Sequence, residues 1–104
     1  MSNGFVYDER LGIELPALDR EWEQYSETER AEMLERWERI RGAIPDRIQA
    51  LERIIIRKQL QLDVEDDFPT SCRLNYEIAE KASCITDLHL WYRVNQELST
   101  RAHH

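Results

Sequence analysis

Apolar residues recur along the chain with a helical period from about residue 26 onward. Met33, Trp37, Ile40 and Ile44 are spaced four, three and four apart, which places them on one face of an α-helix. Ser26 followed three positions later by Glu29 is a capping box, in which a hydroxyl and a carboxylate satisfy otherwise orphan amides at a helix start. Glu32 with Arg36 and Glu35 with Arg39 add favourable i,i+4 pairs on the remaining surface. Gly42 and Pro45 end this segment, so a first helix is predicted over about 27–42.

Pro45 and Asp46 open a second segment, because a proline in the first turn sacrifices no intrahelical hydrogen bond. Ile48, Leu51, Ile55 and Leu62 define its main stripe, with Ile54, Ile56 and Leu60 outside it. The run RIIIRKQLQL taken alone also fits a strand, since three β-branched residues in a row favour extended backbone. Its length and helical flanks decide for a helix over about 46–63. DVEDDFP breaks the pattern, and Pro69, Thr70 and Ser71 offer a fresh start for a third helix over about 71–99. Leu74, Ile78, Ala82, Ile85, His89 and Tyr92 form one stripe on it. Cys84, Leu88, Trp91, Asn95 and Leu98 form a second, displaced around the rod. A helix apolar over so much of its circumference needs more than one neighbour.

The first 25 residues are harder to read. FVY and GIEL suit short extended pieces, and Pro16 suits a brief helix presenting Leu18, Trp22 and Tyr25. The expected architecture is all-α: an antiparallel three-helix bundle over residues 26–102, its direction reversing at each short connection, with an N-terminal arm over 1–25.

Composition narrows the function. Three glycines and three prolines in 104 residues suit long helices, and the length allows one domain. A net charge of −7 sets the whole-molecule field against nucleic acids and anionic membrane surfaces. The cluster Arg53, Arg57 and Lys58 is too short to reverse that and reads as a solvated flank. No run is long and apolar enough to span a bilayer and the start lacks a secretory pattern, which points to the cytoplasm. Cys72 and Cys84 stand about 18 Å apart on a continuous helix, too far for a disulfide, so both read as thiols.

Candidate chemistry is sparse. Glu77 and Glu80 share a helical face with Asp87 two turns further on, a spacing able to offer oxygen ligands to Mg²⁺ if a neighbouring helix supplies more carboxylates. Glu77 also faces Lys81 at i,i+4, which a solvated ion-paired surface explains equally. His89 lacks the H-E-x-x-H or E-x-x-H spacing of metal sites, and neither cysteine belongs to a C-x-x-C pair. His103 and His104 end the chain and, as two adjacent terminal histidines, say little about metal. P-loop, dinucleotide-binding, nucleophile-elbow and EF-hand patterns are absent.

Aromatic residues, by contrast, are well supplied for anchoring an interface. The sequence therefore reads as a small protein-interaction or regulatory module that acts by surface binding, requires no cofactor, and forms a homodimer or binds another protein. Its expected apolar anchors are Ile56, Leu60, Leu88, Trp91 and Tyr92, with Arg57 and Arg93 at the rim. The alternative is a Mg²⁺-dependent, all-helical enzyme similar to nucleotide pyrophosphohydrolases, using Glu77, Glu80 and Asp87 as ligands.

Overall fold

A computed structural model describes residues 4–94 of the chain. Two short strands, β1 (Phe5–Asp8) and β2 (Ile13–Pro16), pair antiparallel with Phe5 opposite Pro16 and Asp8 opposite Ile13. A 3-10 turn at Trp22–Gln24 leads into α1 (Glu27–Gly42), α2 (Ile44–Asp63) and α3 (Phe68–Tyr92).

Local chemistry explains each boundary. In the β1–β2 turn, the Leu11 amide donates to the Asp8 carboxylate at 2.8 Å and the Gly12 amide to the Asp8 carbonyl at 2.7 Å. Gly12 then takes φ of +76°, a conformation costly for any residue with a Cβ. At α1, the Ser26–Glu29 capping box forms as expected, with bonds of 2.9 and 3.1 Å. Helix α3 begins at Phe68 because Asp67 caps it, its carboxylate accepting from the Thr70 amide at 3.1 Å and the Thr70 hydroxyl at 2.6 Å. The part of the expected third helix beyond Val94, with Asn95, Leu98, His103 and His104, lies outside the described residues.

The expected all-α antiparallel three-helix bundle is overturned on two counts. First, the arm is a β-hairpin, so the fold is not all-α. Second, the helices make two limbs and not three. A single residue, Ala43, joins α1 to α2, and its φ of −89° and ψ of −9° stay close to helical values, so the chain bends there without turning back. Pro45 supplies the bend, since it has no N–H for the carbonyl four residues earlier and its ring crowds that carbonyl. Among the described residues the helical path reverses once, at 64–67. A long axis of 59 Å against widths of 22 and 21 Å fits α1 and α2 laid nearly end to end, about 24 and 30 Å long.

Helix α3 runs antiparallel to α2 and, being longer, continues past the bend onto α1. There the Trp37 Nε1–H donates to the Val94 carbonyl, and Arg41 Nη1 donates to the Tyr92 carbonyl at 3.1 Å. The seam between the limbs has alternating spacings of four and three on both sides, as in an antiparallel coiled coil. Helix α2 contributes Ile44, Ile48, Leu51, Ile55, Lys58 and Leu62, and α3 contributes Leu74, Glu77, Lys81, Cys84, Leu88 and Trp91; all are buried or half-buried. The displaced stripe of the sequence analysis is thus the seam of α3, while Ile78 and Ile85 flank it and Ala82, His89 and Tyr92 are exposed.

Two clusters make the core, both at the bend. In one, Leu11 and Ile13 of the hairpin close over Ile44, Ile48, Leu51, Cys84 and Leu88. The other joins Phe5, Tyr25, Met33, Trp37 and Val94. Trp91 packs on both and meets Trp37 edge to face, with ring centres 5.8 Å apart. Polar contacts hold the hairpin down: Arg47 Nε donates to the Leu11 carbonyl at 2.9 Å, Arg36 meets Glu14 at 2.8 Å, and Arg10 meets Asp87 at 2.7 Å. Arg36 therefore pairs with the hairpin and not with Glu32, whereas Arg39 bonds Glu35 at 2.9 Å as expected.

Candidate interaction surface

The acidic trio does not assemble. Glu77 accepts from Lys58 Nζ at 2.9 Å and lies 3.7 Å from Arg73, whereas Asp87 is taken by Arg10, which also donates to the Ser83 hydroxyl at 2.7 Å. Ten residues separate Glu77 from Asp87, about 15 Å along the rod. Among the described residues no three carboxylate, histidine or cysteine groups are placed to hold a metal ion. The hydrogen bond from Lys58 keeps the Glu77 carboxyl below the ordinary carboxylate range. Glu77 and Asp87 are thus each neutralised by neighbouring cations. His89 is exposed, as is Cys72, and the Cys84 thiol is buried 3.6 Å from the Arg10 carbonyl.

The anchors expected from the sequence separate into two groups. Leu88 is wholly buried in the core, and Trp91 is half-buried between the two clusters. Tyr92 is exposed, with the Arg41 guanidinium 5.1 Å from its ring centre. Arg93 is exposed where α3 ends. Ile56, Leu60 and Arg57 lie far from these, exposed on the outer end of α2.

Most of the exposed large apolar side chains lie at that outer end, the others being Val6 and Tyr7 on β1 and Leu90 and Tyr92 near the end of α3. Ile56, Leu60 and Val64 follow one another at i,i+4 on α2 and are 56%, 63% and 79% exposed. On α3, Phe68 and Tyr76 are 76% and 62% exposed, with exposed Cys72 midway between them. The seam here mixes the Lys58–Glu77 ion pair and Lys81 with buried Leu74 and half-buried Ile55 and Leu62. Two hollows flank Lys58: one is lined by Ile54, Arg57, Leu60 and Gln61, the other by Tyr76, Glu77, Glu80 and Lys81.

Helix α3 has a second peculiarity that apolar periodicity did not reveal. Of its exposed positions only Arg73 and Glu80 are charged, in a chain that is 34% charged. Helix α1, by contrast, exposes Glu27, Glu29, Glu32, Glu35, Glu38 and Arg39. Phe68, Cys72, Asn75, Ala79, Ala82 and Thr86 make an outward strip on α3 at alternating spacings of four and three, the spacing of a helix–helix seam. Counting charge by helical position, as well as apolarity, would have found it.

Compared with protein-family models, curated proteins and solved structures, the chain matches none. No described helix is long and apolar enough to cross a membrane.

Proposed function

We propose that this chain is a small protein-interaction module that works by surface binding, self-associates through the outer half of the α2–α3 hairpin, and catalyses no reaction. The observation that carries this reading is the uncharged outward strip of α3 together with the exposed Phe68 and Tyr76. A solvated helix ordinarily puts charged residues on its outer face. One whose outer face is aromatic and small, at seam spacing, is shaped for another helix. Ile56 and Leu60 extend the apolar surface onto α2, with Arg57 at its rim.

Mass measured by light scattering from about 1 to 200 µM tests the proposal. The weight-average mass is expected to rise from 12.5 kDa towards twice that value, and Tyr76→Asp is expected to hold it at the monomer value with unchanged helical circular dichroism. A wild-type mass of 12.5 kDa throughout would contradict self-association.

A further inference from the structure

We draw no further inference here: the strongest candidate, the uncharged outward strip of α3 that runs from Phe68 to Thr86, belongs to the surface already described, and nothing in the structure shows what covers it.

Discussion

The two halves of the helical hairpin are built in opposite senses. Near the bend, the seam holds Ile44, Ile48, Leu51, Cys84 and Leu88, the β-hairpin closes over it, and the exterior of α1 is densely charged. Towards the 64–67 turn, Lys58, Glu77 and Lys81 share the seam with Ile55, Leu62 and Leu74, and the exterior carries Ile56, Leu60, Val64, Phe68 and Tyr76. A half with charges in its seam and aromatics outside gains least from its own packing and most from a partner. On the proposed reading, stability and binding are divided along one pair of helices.

Breaking the inner half has the largest effect. Trp37 has no exposed surface, and its removal opens a cavity between α1, the arm and Val94, so Trp37→Ala should cost about 3–5 kcal/mol in denaturant unfolding. The same truncation at exposed Phe68 should change monomer stability by less than about 0.5 kcal/mol while weakening self-association. Comparable losses at the two positions would refute the division.

Unlatching the arm comes next. An alanine at Gly12 would adopt an unfavourable φ, and its Cβ would lie 2.7 Å from Arg47 Nε, the group that bonds the Leu11 carbonyl. Gly12→Ala should cost about 1–3 kcal/mol by the same assay. Its effect should appear as exposure of Leu11 and Ile13 and leave dimerisation unchanged.

The polar seam gives the smallest effect. Because the folded Glu77 carboxyl is held below its ordinary range, its contribution is present above the unfolded-state value and is lost as pH falls through the folded one. Tm should therefore decline below about pH 4. Glu77→Gln should make that decline shallower. Asp19, Glu29, Glu38 and Asp67 are likewise depressed, by hydrogen bonds from Tyr25, Ser26, Arg41 and Thr70 respectively, and add to the acid sensitivity. An unchanged slope in Glu77→Gln would show that the pair adds nothing to stability.

How much of this was legible in the sequence follows from which signals were local. The Ser26–Glu29 cap, the buried face of Met33 and Trp37, and the main stripe of α2 needed only neighbours three and four residues away. The seam register of α3 was harder, because Glu77 and Lys81 occupy seam positions and apolarity alone picks out Ile78 and Ile85 beside it. Gly42 and Pro45 read as a reversal, but one intervening residue with near-helical angles produces only a bend. FVY and GIEL were legible as short extended pieces and form β1 and β2, but four-residue strands carry too little alternation to show that they pair, although Asp8 followed by Gly12 is a turn signal. For the surface, Ile56, Leu60 and Arg57 were placed on the exposed end, whereas Leu88 was assigned outward and lies at the centre of the core.

Hydrogen exchange at two protein concentrations, about 1 and 200 µM, tests the division most directly. The account predicts that amides of residues 70–83 gain protection at the higher concentration, while those of residues 44–51 and 84–91 are strongly protected at both. Equal protection at both concentrations throughout the hairpin, or a gain confined to the bend, would contradict it.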